Sequence, residues 1–453
     1  MNKKKLLFSI LILSLPAIAE MALNTLLGFT DTIMISRLIG PNALAGVGFA
    51  NQIVFTLIFI FSSFNTGGTA IISRNFGEKK YNDMNKVAGE IITINLIIGI
   101  VITILALLFS KNIFAIYDMT QEVEKMTIDY FKIVTFGMPL MFLSFSFTTI
   151  LRGSGDTRTP MIITGIVNIT NIIGNYVLIT GWGPFPALGV KGTAIATTIS
   201  RLIATLLYIK VLFFNSNITK ITLKDLIPTK KNIPPLWRLS FPGAIEQASM
   251  QLSFVALGVI ISILDTTSEA AFRILINIES ISFMPAVGLS IASATLVGKA
   301  LGEKDKIKAK LTGYISSFLA ISWGITIGIM FLLIPDKLIG IFTTEPLLIK
   351  ASLTGMILAG LNQPLLNYMI VQGGTLRGAG DTRSVMIITS FRLWLIFVPM
   401  SYVLISHYNF GVEACWIAEI TSFLIFIPVI FKRFYSEKWL DIQIYENNSK
   451  KII

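Results

Sequence analysis

Long apolar stretches separated by short polar loops recur along the whole chain. Apolar runs of about 18 residues or more are long enough to cross the roughly 30 Å hydrocarbon core of a bilayer as helices. Twelve such segments are predicted, with limits near 6–36, 44–72, 87–110, 127–150, 160–181, 189–213, 237–263, 270–296, 311–334, 350–374, 385–406 and 411–432. The pattern therefore predicts an all-α membrane protein with twelve transmembrane helices.

The loops between these segments are short except for 214–236, which is polar, carries lysines and is interrupted by prolines. We interpret this stretch as a linker between two halves. The predicted organisation is an N-lobe at 1–213 with helices 1–6, a cytoplasmic linker at 214–236, a C-lobe at 237–434 with helices 7–12, and a cytoplasmic tail at 435–453. The charged start and apolar stretch at 1–20 lack a small-x-small cleavage site before a soluble domain, so they are predicted to begin the first membrane helix.

One short motif occurs twice. LRGSGDTRTPMIIT at 151–164 and LRGAGDTRSVMIIT at 376–389 are identical at eleven of fourteen positions, with an offset of 225. LSLPAIAE at 13–20 matches LSFPGAIE at 239–246, and GVKGTAIATTIS at 189–200 aligns with GVEACWIAEITS at 411–422. The chain is therefore predicted to contain two homologous six-helix bundles. Because six is even, both bundles begin on the same side of the membrane, as parallel repeats.

Composition agrees with a membrane protein and excludes several functions. Hydrophobic residues make up 53% of the chain and charged residues 14%, against roughly 25% charged in soluble domains. The single cysteine, Cys415, and the single histidine, His407, argue against a disulfide framework, a zinc site or a Ser-His hydrolase. No nucleotide-binding loop or nucleophile constellation is found, so neither an enzyme nor a cofactor is expected.

The net charge of +12 is distributed unevenly between the two predicted sides. The side that holds both termini and the linker carries 27 lysines and arginines, and the opposite side carries seven. The positive-inside rule then places both termini in the cytoplasm, for a multi-pass protein of the cell (inner) membrane. We expect the positive surface to face anionic lipid headgroups rather than nucleic acid.

The repeated motif lies at the cytoplasmic end of the fourth helix of each half. Its glycines permit a tight turn. Asp156 and Asp381 can cap the next helix or pair with arginines of the motif, of which Arg152 and Arg377 come first. Two interpretations stay open, a structural loop that joins helices and a cytoplasmic gate.

Ionisable side chains inside the predicted spans are few. An Asp, Lys or Arg at the centre of a membrane helix costs about 2.5–3.5 kcal/mol on insertion scales, so such groups should face a cavity or a partner. The candidates are Glu20, Asp31, Glu246, Glu279, Arg392 and Glu419. Glu20 and Asp31 are eleven residues apart, which places them within about 20° of one helix face.

With these residues and repeats in view, the chain resembles the multidrug and toxic compound extrusion (MATE) family. The resemblance covers essentially the whole chain. It rests on the paired LRGxGDTR loops, on FTDTIMISRLIGPNALAGVG at 29–48 and on FRLWLIFVPMSYVL at 391–404. It implies two lobes arranged in a V, alternating access, and export of hydrophobic organic cations in exchange for Na⁺ or H⁺. We also expect a monomer in the lipid bilayer.

The resemblance also implies a coupling-cation site. Asp31 matches the first-helix aspartate of the family, which acts with a polar cluster on helices 5 and 6. The matching positions are Asn171 and Asn175, spaced i,i+4, and Thr197. A carboxylate, two amides and a hydroxyl form an oxygen-rich set suited to Na⁺. Some members carry an aspartate where Asn175 stands, and the alternative is that the asparagines only connect helices.

A second cation or substrate site is expected among the remaining ionisable residues. Glu246 matches a C-lobe glutamate of one branch of the family, and Glu20 is its repeat twin. Arg392 is predicted either to neutralise Glu246 or Glu419 or to take part in coupling, and Glu279 can also lie near a helix end. The alternative function is a flippase of the same superfamily that moves lipids or lipid-linked saccharides. Channels and enzymes fit the pattern less well.

Overall fold

The structure, a computed structural model, describes residues 3–62, 65–215 and 220–445. Every regular element in these ranges is helical. The helices are α1 (Lys3–Leu38), α2 (Pro41–Ser62), α3 (Asn65–Gly77), α4 (Tyr81–Leu108), α5 (Ser110–Phe114), α6 (Gln121–Phe136), α7 (Met138–Gly153), α8 (Arg158–Thr180), α9 (Val190–Ile209), α10 (Ile233–Ile261), α11 (Thr266–Gly302), α12 (Lys306–Leu333), α13 (Pro335–Gly340), α14 (Pro346–Ala379), α15 (Thr382–Phe391), α16 (Val398–Ser406) and α17 (Ala414–Tyr435). The all-α membrane fold predicted from the apolar pattern is confirmed.

The described helices cover all twelve predicted segments, some of which consist of two helices. One of the segments differs from the others in composition. Ten of them are long and apolar enough to span a bilayer, or eleven if α6 and α7 count as one bent span. The remaining segment is α14, which is 34 residues long but does not qualify by composition. Its buried residues include Asn362, Gln363, Asn367 and Gln372. Each of these polar side chains forms at least one hydrogen bond with the protein, which offsets part of the cost of its burial.

Two predicted spans are interrupted. The segment predicted at 44–72 comprises α2 and α3, and residues 63 and 64 between them lie outside the described part. The segment predicted at 127–150 is a helix pair, α6 and α7, bent by 46°. Gly137 lies between the two helices and Pro139 is in the first turn of α7. Proline removes a backbone donor and its ring clashes with the preceding turn, which accounts for the bend.

The eleventh predicted span contains a turn of π-helix. The residues Arg392–Phe397 join α15 to α16 without a break, and Pro399 follows in the first turn of α16. A π-helical turn inserts one extra residue and re-aims the side chains around it, and such turns are frequent at functional sites. Arg392 is the first residue of this turn.

The described chain clusters into two compact units. Unit 1 comprises Met1–Ile18 and Trp237–Ile453, and unit 2 comprises Ala19–Leu236. In unit 1, Leu6, Ile10 and Leu13 from the start of α1 share a hydrophobic cluster with residues of α11 and α14. The division within α1 falls two residues after Pro16. The predicted lobe limits place all of α1 in the N-lobe, and as domain boundaries they remain a prediction.

The predicted linker is docked on unit 2. Lys86 on α4 donates from Nζ to the carbonyls of Lys224 and Ile227 at 2.8 and 3.0 Å. One turn further along α4, Glu90 Oε1 accepts from the amide and the hydroxyl of Thr229 at 3.0 and 2.6 Å. Gly89 lies between these anchors, and a Cβ added there would collide with the carbonyl of Asp225. The glycine therefore permits the close approach of the linker backbone.

The C-terminal tail of unit 1 is docked in a comparable way. After α17, a turn of 3-10 helix at Lys438–Asp441 places Trp439 in the interior, where its indole stacks on Phe434 with centroids 5.3 Å apart. Asp441 forms an ion pair with Lys306 at the start of α12. Arg238 donates to the carbonyl of Ile444 at 2.6 Å. Linker and tail thus each contain a 3-10 turn and each pack on helices of their own unit.

We predict that Gly89→Ala releases the linker from α4, because the added methyl group occupies the space of the Asp225 carbonyl. Limited trypsin digestion should then cleave at Lys220, Lys224 or Lys230 several-fold faster than in the native chain. Gly28→Ala is the matched control, since a Cβ at Gly28 meets no atom within 4 Å. Equal cleavage rates for Gly89→Ala and the native chain would show that the linker is not held at this contact.

Candidate cation-binding site and the ion pairs around it

The structure brings together the four residues predicted for the coupling cation. Asn175 on α8 donates from Nδ2 to Asp31 Oδ1 at 2.7 Å and to Asn171 Oδ1 at 3.0 Å. Asn171 in turn donates from Nδ2 to Thr197 Oγ1 on α9 at 3.4 Å. The cluster therefore connects α1, α8 and α9 within unit 2. Its role in cation binding stays a prediction.

The i,i+4 spacing of the two asparagines places both amides on the face of α8 that points into the unit. Asn171 and Asn175 are 2% and 1% exposed, and Asp31 is half-buried. Asn168, one turn before Asn171, lies on the same face and donates to the carbonyl of Leu23 on α1 at 2.8 Å. Sequence reasoning missed Asn168, although its i,i+3 and i,i+7 spacing to the predicted pair was a visible signal.

The cluster has an acceptor left over. Asn175 Oδ1 is buried and has no hydrogen-bond partner among the described residues. A buried polar atom without a partner costs about 1–3 kcal/mol, and in native structures it usually has a role. Within the described part of unit 2, the carboxylate of Asp31 also has no cationic partner within ion-pair distance. One negative charge and one free amide oxygen are the chemistry that a Na⁺ ion or a proton completes.

Glu20, the other acid of α1, is already neutralised. Its Oε2 accepts from Arg152 Nη2 at 2.8 Å, and only 8% of the Glu20 side chain is exposed. Arg152 is the first arginine of the repeated motif and lies at the end of α7. The ion pair therefore fixes the end of α7 against α1. Of the two acids on this face of α1, Glu20 is therefore paired with an arginine, whereas Asp31 contacts only the amide of Asn175.

The same arrangement occurs in unit 1. Glu246 Oε1 accepts from Arg377 Nη2 at 2.7 Å, and Glu246 Oε2 accepts from Arg377 Nε at 3.4 Å. Thr389 adds a hydroxyl donor at 3.2 Å. Arg377 is the motif's first arginine in the second repeat. Glu246 is thus paired with Arg377, and the predicted pairing of Glu246 with Arg392 is not formed.

The two motif aspartates have different partners. Asp156 caps α8, because its Oδ1 accepts the backbone amides of Arg158 and Thr159 at 3.1 and 2.9 Å. Asp381 instead accepts from Arg433 Nε at the end of α17 at 2.6 Å. The capping role was one of the two that the sequence predicted, whereas the partner Arg433 was not anticipated. The motif therefore joins helices in each unit, which supports the structural interpretation.

Arg392 is buried at the start of the π-helical turn of unit 1. Its Nη1 donates to Ser422 Oγ at 3.0 Å, and its guanidinium lies 4.2 Å from the ring centroid of Phe423. Ser422 Oγ in turn donates to the backbone carbonyl of Glu419 at 2.6 Å, although no described atoms of the Arg392 and Glu419 side chains lie within salt-bridge distance. Of the two predicted partners, Glu419 is therefore the one near Arg392.

Glu279 and Glu419, the last predicted candidates, lie in one polar cluster of unit 1, in which Glu279 is buried and Glu419 half-buried. Gln363 donates from Nε2 to Glu279 at 3.0 Å, and Asn362 donates from Nδ2 to Glu419 at 2.8 Å. Trp416 donates from Nε1 to Glu279 at 3.2 Å. Glu279 is 6% exposed and far from either end of α11, so the helix-end interpretation of this residue is wrong.

One buried acid was missed by the sequence analysis. Glu90 on α4 is 0% exposed, and its Oε2 has no partner among the described residues, while its Oε1 holds Thr229 of the linker. It lies within the predicted third span, four residues after Lys86. That spacing places both residues on the face that receives the linker. The spacing could have identified Glu90 only if the linker had been known to fold back on α4.

Repeated helical halves that carry polar side chains in their interior are typical of secondary transporters. The chain belongs to the MatE family, whose model matches residues 16–177 and 242–403. Both limits of the two matches are 226 residues apart, which confirms the predicted duplication of six-helix bundles. The expected resemblance to this family is confirmed as well.

Individual relatives match over almost the whole chain. A probable multidrug resistance protein NorM of Thermotoga maritima is 32% identical over 431 residues, which cover 94% of this chain and 92% of that protein. An uncharacterized transporter, YisQ, of Bacillus subtilis is 27% identical, covering 96% and 95%. The fold is similar to that of a MOP superfamily transporter from Pyrococcus furiosus, with a TM-score of 0.89, 22% identity and 98% of both chains covered.

We predict that Glu20 and Arg152 are energetically coupled, because truncation of either leaves a buried charge without its partner. In a double-mutant cycle of Glu20→Ala and Arg152→Ala, thermal unfolding in detergent should give an interaction energy of about 0.5–3 kcal/mol. We expect an interaction energy in the lower part of this range, because Arg152 is partly solvent-exposed and solvent weakens the ion pair. The exposed pair Glu269 and Arg273 provides the control cycle, where additive effects are expected. Strictly additive effects for Glu20 and Arg152 would contradict the proposed coupling.

Proposed function

We propose that the protein is a secondary active multidrug efflux antiporter that exports hydrophobic organic cations in exchange for Na⁺ or H⁺. Membership of the MatE family and the similarity to a probable multidrug resistance protein support the efflux of drugs. The coupling by a cation is supported by one observation, the cluster of Asp31, Asn171, Asn175 and Thr197. No cofactor and no catalytic step are part of this proposal.

The cluster can accept either coupling ion. A Na⁺ ion requires several oxygen ligands, and the candidates are the Asp31 carboxylate, the unpartnered oxygen of Asn175 and the hydroxyl of Thr197. A proton requires only the carboxylate, which then becomes neutral. In both cases the net charge of the cluster changes from −1 to zero, which lowers the cost of keeping it in an apolar environment.

Neutralisation of Asp31 is the proposed switch. The amide of Asn175 is shared between Asp31 and Asn171, so a cation that binds the carboxylate competes with this amide and rearranges the contact of α1 with α8. The coupled exchange requires only that cation and drug stabilise different conformations or compete. In the proposed cycle, drug leaves outward as the cation enters the N-lobe, the lobes then rock to the inward-facing state, and the cation dissociates into the cytoplasm.

The orientation and surroundings of the chain are also part of the proposal. We place it as a monomer in the cell (inner) membrane with both termini in the cytoplasm. The excess of lysine and arginine on the side of the termini and the linker supports this orientation. The same surface would face the anionic headgroups of the inner leaflet.

We predict that Asp31→Asn abolishes cation-driven efflux while the protein stays folded, because asparagine retains an acceptor oxygen for Asn175 but removes the charge. The measurement is ethidium efflux in reconstituted vesicles, driven separately by a Na⁺ gradient and by a pH gradient. The gradient that drives the native chain identifies the coupling ion, and the rate for Asp31→Asn should fall to that of protein-free vesicles.

The matched control is Glu269→Gln, which removes an exposed carboxylate outside the cluster and should leave the rate unchanged. If Asp31→Asn transports at the native rate, the cluster is not the coupling site. If neither gradient drives ethidium efflux by the folded native chain, the drug-antiporter proposal is wrong, and movement of lipids or lipid-linked saccharides becomes the next hypothesis to measure.

A further inference from the structure

Two neighbouring helices of unit 2, α6 and α9, form a groove of about 310 Å³ on the surface of that unit. The lining residues are Lys132, Ile133 and Phe136 of α6 and Ile195, Thr198 and Ile199 of α9. Phe136 is 72% exposed and Ile199 is 45% exposed. Apolar side chains that a membrane-spanning helix leaves uncovered face the acyl chains of lipids, because the hydrocarbon core holds no water. The groove is therefore a surface on which lipid packs.

The floor of the groove is apolar and closely packed. A Cβ added at Gly137, where α6 passes into α7, would lie 3.1 Å from Thr198 Cγ2, so the two helices approach each other closely here. The hydroxyl of Thr198 points into the protein, where the carbonyls of Ala194 and Ile133 lie 2.9 and 3.2 Å from its oxygen. The single proton of this hydroxyl is thus used within the unit. The groove offers an apolar surface to a ligand rather than a hydrogen-bond donor.

One end of the groove reaches the polar surface of the unit. α6 begins at Gln121 on the side opposite the docked linker, and α9 begins at Val190 on the same side. There Lys191 of α9 forms an ion pair with Asp129 of α6 at 3.3 Å, and both side chains are partly exposed. Lys132 follows Asp129 by three residues, which places it about 4.5 Å deeper along the axis of α6. Its ammonium group reaches the headgroup region, because the side chains of a helix lean towards its N-terminus and a lysine extends to the nearer interface.

Lys132 is a cation without a counter-charge. It is exposed, and among the described residues it has neither an ion pair nor a hydrogen bond. Asp129, the acid one turn before it on α6, is paired with Lys191. Lys125 is also exposed and lies on the same face of α6, seven residues before Lys132. Three ammonium groups thus stand against one carboxylate at this end of the groove.

The second repeat shows that a six-helix bundle does not need this lysine. At the offset of 226 that relates the two family matches, Lys132 corresponds to Leu358 of α14. Leu358 packs against the hydrophobic core of unit 1. An ammonium group at the edge of hydrocarbon is costly unless an anion accompanies it. Because one half is built with leucine at this position, the lysine of the other half is available for an anionic ligand.

We propose that the groove binds one anionic phospholipid from the leaflet on the side of unit 2 opposite the linker. The phosphate of the lipid pairs with Lys132, and one acyl chain lies along Phe136 and Ile199. Charge complementarity selects this occupant. A hydrophobic organic cation is repelled by Lys132, and a zwitterionic lipid places its own cationic group among the three lysines. The proposal concerns a lipid-binding surface, so it does not depend on whether the chain exports drugs.

The test measures which lipid lies beside the groove when the full-length protein is reconstituted into vesicles. Leu202 is 43% exposed and follows Ile199 by three residues on α9, so a fluorophore attached to Leu202→Cys reports on the acyl chains there. The native thiol of Cys415 is buried and should not take the label. Bromine atoms on the acyl chains quench the fluorophore, and brominated phosphatidylglycerol is compared with brominated phosphatidylcholine. Phosphatidylglycerol should bind about fivefold more tightly, as expected for one lysine beside an anionic headgroup.

Matched controls isolate the groove from the rest of the surface. Ile173 on α8 is 58% exposed and does not line the groove, so a label on Ile173→Cys should report no preference between the two lipids. Lys132→Met keeps an unbranched apolar side chain but removes the charge, and it should bring the ratio at Leu202→Cys close to one. Lys111→Met removes an exposed lysine outside the groove and should leave that ratio unchanged.

A second variant tests the apolar part of the groove. Ile199→Trp fills the space between α6 and α9 while Lys132 stays in place, so the preference at Leu202→Cys should be lost. Ile199 and Lys132 are both exposed, and thermal unfolding in detergent should therefore be unchanged in either variant. A preference that survives in folded Ile199→Trp protein would show that the acyl chain lies elsewhere, which contradicts the proposal.

Three further outcomes overturn the proposal. Equal quenching by both lipids at Leu202→Cys, or a preference that persists in Lys132→Met, would show that the groove holds only unselective lipid or that the lysine does not bind the headgroup. Loss of the preference on addition of soluble glycerol phosphate would show that the site takes a free phosphate rather than a lipid. Quenching at Ile173→Cys but by neither lipid at Leu202→Cys would show that protein, such as a second copy of this chain, covers the groove.

Discussion

The cost of an unpaired charge in hydrocarbon governs how this molecule is built. An acid that is held away from water must find a guanidinium, a set of hydrogen-bond donors or a cation. Glu20 and Glu246 are paired with arginines that the repeated loop supplies at the ends of α7 and α14. Asp31 and Glu279 have only amide or indole donors in the described structure. The acids thus divide into those that are paired with an arginine and those that only neutral donors contact in the described structure.

The same constraint explains which helices carry polar side chains. α14 falls short of the composition expected of a membrane span, yet it packs against α11, α12 and α17 at the centre of unit 1. A helix surrounded by other helices can carry Asn362, Gln363 and Asn367 because each finds a protein donor or acceptor. In unit 2, α8 carries its asparagines only on the face that points inward. The amide side chains of α8 and α14 therefore mark interior faces of these helices.

Apolar periodicity predicted the number and order of the spans because hydrocarbon selects directly on composition over about 20 residues. The polar cluster around Asp31 could be anticipated because Asn171 and Asn175 share one helix face and because the family resemblance pointed to Asp31 and Thr197. The ion pairs could not be derived, since Glu20 and Arg152 are 132 residues apart and their proximity depends on tertiary packing. The docking of the linker on Glu90 and Gly89 was hidden for a further reason. Polar composition predicts exposure, but it does not indicate that a loop folds back on its own unit.

The two glutamate–arginine pairs have an evolutionary consequence. After a duplication, corresponding positions in the two copies are free to diverge, and Asp31 now stands opposite Leu257 at the offset of 226 that relates the two family matches. The pairs Glu20–Arg152 and Glu246–Arg377, in contrast, have been kept in both copies. The acid at position 31 is thus present in one half only, whereas the ion pair between the first and the fourth helix occurs in both six-helix bundles of this chain. A lineage that loses one member of such a pair should replace its partner in the same half, and the other half should remain unaffected.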